Sequence, residues 1–243
     1  MVKLFLNQIG MTVFGTMLAL ALSRNASMLL ASGVFSIVFF LALNYSALWE
    51  IGAKDKIRID GGRLKPMPGK GAVIAAGANL PNVLLTLLMG LGVLIGTRAS
   101  ESMSIICNAV LRLLNGMYLG VLKFFEYTFY VSPEINSAIR ALTAPGANAQ
   151  TAEVLEILNG AHPGNSVEPI SRAMEQLGGL TAAHPEAAEA YTYLETAFSS
   201  PTISDIWWWF LVITVPSIAV GALAYYLGSK NIKIFGFLEK KSK

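Results

Sequence analysis

Apolar residues gather along this chain into runs of about 20, the length at which a helix rising 1.5 Å per residue crosses roughly 30 Å of bilayer hydrocarbon. Four runs are clear: Leu4 to Leu22, Met28 to Trp49, Ala72 to Thr97 and Ile206 to Leu227. Each predicts a transmembrane helix. A fifth, Ile105 to Tyr130, carries Arg112, Lys123 and Glu126, and a charge at mid-bilayer costs at least ~2.5 kcal/mol unless paired or wetted. Asn108, Arg112, Asn115, Lys123 and Glu126 fall at spacings that line up as one polar stripe on a helix. Two readings follow: an amphipathic helix in the outer interface with Phe124, Phe125, Tyr127, Phe129 and Tyr130 at headgroup depth, or a fifth span whose stripe faces protein or water.

The pattern changes after residue 130. From Val131 to Asp205 the chain is Ala-rich and punctuated like a set of short helices: Ser132-Pro133 reads as an N-cap with Pro following, Asn159-Gly160 and Gly178-Gly179 as helix ends, and Pro185 as an opening residue. Ile170, Ala173, Met174 and Leu177 would share one apolar face, and Ala187, Tyr191, Leu194 and Phe198 another. These faces are narrow, which predicts a small helical cap on the membrane portion. Trp207, Trp208 and Trp209 mark an interface where the last span begins. The organisation expected is therefore 1–130, membrane helices with a basic loop at 53–70; 131–205, an acidic helical cap; and 206–243, the last transmembrane helix with a Lys-rich tail.

Charge adds an orientation. Lys54, Lys56, Arg58, Arg63, Lys65 and Lys70 crowd the loop, facing only Asp55 and Asp60, and Lys230, Lys233, Lys240, Lys241 and Lys243 crowd the tail. Basic residues are retained on the cytoplasmic side, so loop and tail should both be inside. The 131–205 segment holds two basic residues against nine acidic ones, which places it outside. These positions agree only if one of the two segments between Lys70 and Val131 fails to cross. Within the loop, Lys56-Ile57-Arg58-Ile59 alternates and runs into Asp60-Gly61-Gly62, which reads as a short hairpin.

With 54% apolar and 14% charged residues and a mean hydropathy of +0.55, the 243-residue chain departs from soluble domains, about a quarter of whose residues are charged. The fold class expected is an all-α integral membrane protein with four clear transmembrane helices, one interfacial helix or fifth span, and the inserted cap. A Lys3 start and the Ala19-Leu20-Ala21 triplet also suit a cleavable signal; retention of the first run as a membrane helix is the expectation.

Candidate chemistry is sparse. Asn79, Pro81 and Asn82 interrupt the third span, where Pro removes a backbone donor and amides satisfy freed carbonyls, so a kink is expected there. Together with Asn108, Arg112, Asn115, Lys123 and Glu126 they make either a packing cluster or the lining of a solute path. Lys54, Lys56, Arg58, Arg63, Lys65 and Lys70 are candidates for anionic headgroups or an acidic partner. Spacings Gly92 to Gly96, Ser217 to Gly221 and Ala224 to Gly228 permit close helix contact. Glu50 and Lys54 suit a helical ion pair. His162 and His184 each precede Pro without a carboxylate at metal-ligand spacing, the lone Cys107 excludes an intrachain disulfide, and neither a P-loop nor a Ser nucleophile elbow occurs.

Asn44-Tyr45-Ser46-Ala47-Leu48-Trp49-Glu50-Ile51-Gly52-Ala53-Lys54-Asp55-Lys56, with Tyr225-Tyr226-Leu227-Gly228, resembles a group of uncharacterised polytopic membrane proteins of Gram-positive bacteria. The resemblance implies a bacterial plasma membrane and carries no activity. The expectation is a non-enzymatic accessory or scaffold subunit whose partners are the bilayer, anionic headgroups and other membrane subunits. No cofactor, metal or nucleic acid is expected. The alternative is a small transporter or channel built on the Pro81 break and the Arg112 stripe.

Overall fold

The first two helices bury a narrow stripe that mixes small, polar and apolar residues and leave many large apolar ones exposed. In the computed structural model, which describes residues 2–67, 69–143, 151–163, 165–181, 184–199 and 206–232, α1 spans Val2–Ala21 and α2 spans Ala26–Asp60. Along α1 the buried stripe is Leu4, Gln8, Met11, Gly15 and Ala19; along α2 it includes Ser32, Ser36, Phe40, Asn44, Leu48, Gly52 and Asp55, at the three-to-four spacing of a helix face. Leu6, Val13, Met17, Val34, Phe35 and Val38 stand on the exposed faces. Such an apolar exterior is an aggregation hazard in water and a match to hydrocarbon.

The remaining elements are α3 (Lys70–Ala78), α4 (Leu80–Ile95), α5 (Arg98–Leu114), a 3₁₀ turn (Gly116–Tyr118), α6 (Leu119–Glu126), a π turn (Tyr127–Val131), α7 (Ser132–Leu142), α8 (Thr151–Asn159), α9 (Val167–Gly178), α10 (Pro185–Ser199), α11 (Trp209–Val212) and α12 (Val215–Ser229). The described residues are helical and contain no strand. Among the described residues three stretches are long and apolar enough to cross a membrane, namely α1, α2 and Trp209–Ser229; counting two interrupted helix pairs as spans raises the number to five.

The hairpin expected at Lys56–Gly62 does not form. α2 continues through it for 35 residues, ~52 Å. Gly62 takes φ +68°, and Arg63 N–H bonds the Arg58 carbonyl at 2.8 Å. The glycine pair therefore ends a helix in a Schellman turn, the other conformation that a left-handed glycine supports.

The chain divides into two compact units, 1–13 with 36–116 and 207–243, and 14–35 with 117–206. In the first, α12 lies parallel to α2: Asn44 meets Ser217, Leu48 meets Gly221 and Gly52 meets Tyr225. α3 runs antiparallel to α12, pairing Gly71 with Tyr225, Ala75 with Gly221 and Asn79 with Ser217. A Cβ on Gly52 would strike the Tyr225 carbonyl, and one on Gly228 the Trp49 carbonyl, so the two backbones touch where side chains would hold them apart. Lys3 pairs with Glu50 at 3.5 Å, which sets the start of α1 beside this same end of α2.

α4 and α5 form an antiparallel helical hairpin. Gly96 at φ +65° closes α4, and Thr97 and Ser100 make a reciprocal capping box that opens α5. Gly92 packs on the Ser100 carbonyl and the Ser104 side chain, as its small size allows, whereas Gly96 serves as a cap and makes no helix contact. α5 stops at Leu114, whose carbonyl accepts from Gln8 Nε2 at 3.3 Å and Thr12 Oγ1 at 2.7 Å of α1. The Ile105 to Tyr130 segment is thus not one helix: Asn115 ends α5, a 3₁₀ turn follows, and the stripe is cut. Asn115, Met117 and Tyr118 in this break are all buried, as irregular backbone within an apolar layer must be.

The second unit contains the Ala-rich segment. Ile135, Ala138, Leu142, Val154, Leu158, Ile170, Ala173, Leu177, Ala187, Ala190 and Leu194 make a continuous core across α7 to α10. Phe198 stands outside it, 58% exposed; Ala197 takes the inward position because alanines let α10 approach closely. Ser132 does not act as an N-cap, since the π turn carries the chain into α7 with no free helix end. In the same unit Gly33 of α2 crosses Gly120 of α6 backbone to backbone. Leu177→Ala should cost about 2–5 kcal/mol, the range for deleting a fully buried leucine, and should appear as loss of amide-exchange protection confined to α8, α9 and α10.

Candidate functional site

Polar residues of the first unit assemble in two places along α2. The first lies at the break between α3 and α4, where the axis turns by 57°. Pro81 supplies no N–H in the first turn of α4, and Asn79 ends α3 with Nδ2 donating to the Ala75 carbonyl at 2.9 Å and to Ser217 Oγ at 3.3 Å. Asn44 Nδ2 donates to the same Ser217 Oγ at 3.2 Å, and Asn82 Nδ2 reaches Asn79 Oδ1 at 3.4 Å. Three helical segments are therefore tied through one serine. Beside it is a cavity of about 10 Å³ lined by Gln8, Asn44, Asn79, Ser217 and apolar neighbours. That space holds at most one water, and Asn44 Oδ1, buried without a protein partner, would be its acceptor.

The second place, toward the end of α2, is an ion pair. Asp55, whose side chain is 3% exposed, contacts Lys70 Nζ at 2.5 Å and accepts from Tyr225 Oη at 3.0 Å. It joins the start of α3 and the end of α12 to α2. Half a turn around α2, Glu50 takes both Lys54 at 2.7 Å and Lys3 at 3.5 Å. α12 ends just beyond, with Asn231 in the left-handed region and Trp49 Nε1 donating to the Ile232 carbonyl at 2.8 Å.

The residues expected to form one polar path are dispersed. Asn79, Pro81 and Asn82 meet at the bend. Asn108 and Arg112 bond each other on α5 through Arg112 Nε at 3.2 Å, with Arg112 exposed and outside the cavity lining. Asn115 is spent on its own Leu111 carbonyl at 2.9 Å. Lys123 and Glu126 belong to α6 in the second unit. Of the basic candidates, Lys54 and Lys70 are taken by Glu50 and Asp55, Arg58, Arg63 and Lys65 are exposed, and Lys56 borders a cleft. Tail residues Lys233, Lys240, Lys241 and Lys243 lie outside the described residues.

The sequence reading missed Asp55, which it counted only as loop charge, and Asn44. The signal was present: Leu48, Gly52 and Asp55 continue the three-to-four register of α2 past Trp49. Among the described residues no three His, Cys, Asp or Glu side chains gather as a metal group. No known family model, curated protein or solved structure matches the chain.

Proposed function

We propose that the chain is a non-enzymatic, multi-pass membrane protein that serves as an accessory or scaffold subunit, with its termini and the Lys54 to Lys70 loop cytoplasmic and the Ala-rich cap outside. The observation that carries the non-transport part is the smallness of the space at the bend: Asn44, Asn79 and Asn82 bond within a cluster whose cavity is about 10 Å³. A solute stripped of water needs a ring of replacing groups and room for itself. Here the amide donors of Asn44, Asn79 and Asn82 are spent within the cluster, and the oxygens left over, Asn44 Oδ1 and Asn82 Oδ1, face room for one water at most.

The topology draws support from the parallel pairing of α2 and α12. Parallel neighbours in a bilayer start and end on the same sides, so the basic loop and the tail fall together, and an odd number of crossings must separate the loop from the start of α12. The broken α3–α4 pair supplies one. α5 returns antiparallel to α4 only to Leu114, opposite Gln8 and Thr12, roughly one and a half to two and a half turns into α1 from Lys3. On this reading α5 dips into the layer and turns back at the buried break. A cysteine placed at Glu168 in a Cys107-replaced background should label from outside intact cells; labelling only after permeabilisation would reverse the assignment.

One observation favours the transporter reading: two helical pairs are interrupted within apolar segments, as in proteins whose broken helices cradle solutes. Asn79→Ala separates the two. As a joint, the bend should lose about 1–3 kcal/mol of stability when its donor goes and buried oxygens are left unsatisfied, with no change in flux. A saturable flux abolished by Asn79→Ala or Arg112→Ala in proteoliposomes, at unchanged melting temperature, would establish transport.

A further inference from the structure

Where α2 and α12 end together, a cleft of about 390 Å³ opens between Lys56, Ile59 and Asp60 of α2, Pro66 and Met67 of the following loop, and Tyr225, Tyr226, Ser229 and Lys230 of α12. Its two cations differ from their neighbours. Lys54 and Lys70 are neutralised by Glu50 and Asp55, whereas Lys56 and Lys230 make no ion pair among the described residues. Asp60 leaves the cleft with one net positive charge. Ile59, Pro66, Met67 and the Tyr226 ring give it an apolar wall, and Ser229 a hydroxyl.

Depth fixes the kind of anion. Lys56 stands seven residues past Trp49, about 10 Å of helix rise, and Trp49 closes the apolar run of α2 as aromatic residues do at a membrane interface. We propose that this cleft binds the phosphodiester headgroup of an anionic membrane phospholipid. Lys56 and Lys230 flank the phosphate, the single net charge matches its single negative charge, and the apolar wall takes the glycerol and first methylenes. The inference rests on the membrane reading above but on no partner or topology assignment.

The test uses the full chain purified in mild detergent, with melting followed as lipid is added. Phosphatidylglycerol at saturation should raise the melting temperature by about 5 °C, and phosphatidylcholine should not. Lys56→Gln with Lys230→Gln should remove most of that shift, while Lys54→Gln, whose charge is held by Glu50, should retain it. Equal shifts from phosphatidylglycerol and phosphatidylcholine, or a shift that survives the double substitution, would overturn the site. A shift from inorganic phosphate with none from phosphatidylglycerol would make it a free-phosphate site and overturn the lipid assignment. Carbonate extraction of native membranes keeps the two readings apart: an extractable chain defeats the membrane reading, while a resistant chain with no lipid-specific shift defeats the cleft alone.

Discussion

Gly228→Leu should disrupt the first unit severely, because the new Cβ would collide with the Trp49 carbonyl and lie 3.1 Å from the Ala53 nitrogen. Overpacked side chains usually cost about 1–3 kcal/mol because a neighbouring rotamer yields. Here the obstacle is backbone on a helix already fixed by Ser217 above and Asp55 below, so α12 must move away as a whole. That movement breaks the Trp49 bond to Ile232 and the Tyr225 bond to Asp55. The expected loss is at least ~3 kcal/mol, a fall in melting temperature of about 10 °C. Gly10→Ala is the matched control. A Cβ there meets nothing within 4 Å, and alanine favours helix over glycine by up to ~1 kcal/mol, so stability should hold or rise slightly.

Removal of Lys70 should cost more than removal of Asp55, although the two form one pair. Lys70→Ala leaves a carboxylate that is 3% exposed with the Tyr225 hydroxyl as its remaining hydrogen-bond donor and Arg58 as its remaining nearby charge, and stranding a buried charge costs up to about 3–5 kcal/mol. Asp55→Ala strands nothing comparable: the Lys70 side chain is 30% exposed and its ammonium can turn to water. What remains is the Tyr225 hydroxyl without its acceptor, about 1–3 kcal/mol. The double variant should then resemble Asp55→Ala and recover much of the loss from Lys70→Ala. Denaturation of all three in the same detergent gives the cycle. Additive losses would show that the pair is not coupled and that Asp55 is solvated.

The element types were largely legible because apolar run length and three-to-four spacing act within one segment. α1, α2, the kink at Pro81 and the short helices of the Ala-rich segment all follow from such local terms. What local terms omit is where a helix end is satisfied. Gly61-Gly62 has the composition of a hairpin turn and of a Schellman turn; continuation of α2 through Ile59 decides between them. Asn115 looked like one more member of a stripe, yet it ends α5 because Gln8 and Thr12, about a hundred residues away, accommodate the Leu114 carbonyl. Asn115-Gly116 is a local helix-end pair like Asn159-Gly160, but the distant partners of the Leu114 carbonyl are not written near it. For Asp55 the α2 register shows the buried face, but the partners that bury it depend on α3 and α12 closing over it. Polar residues within the apolar runs were easy to find, but their grouping through Ser217 required knowledge of which helices are neighbours.

That grouping is also where the account is most exposed. If the bend is a joint, Ser217, 4% exposed and bonded by Asn44 and Asn79, is sealed from water on both sides of the membrane. The decisive measurement is the reaction of a water-soluble thiol reagent with Ser217→Cys in a Cys107-replaced background, beside Lys56→Cys as an accessible reference. The account predicts rapid labelling at position 56 and none at position 217 from either side while the protein is folded. Labelling at position 217 in the folded protein, at a rate near that of position 56, would show a water path through the bend and contradict the scaffold reading.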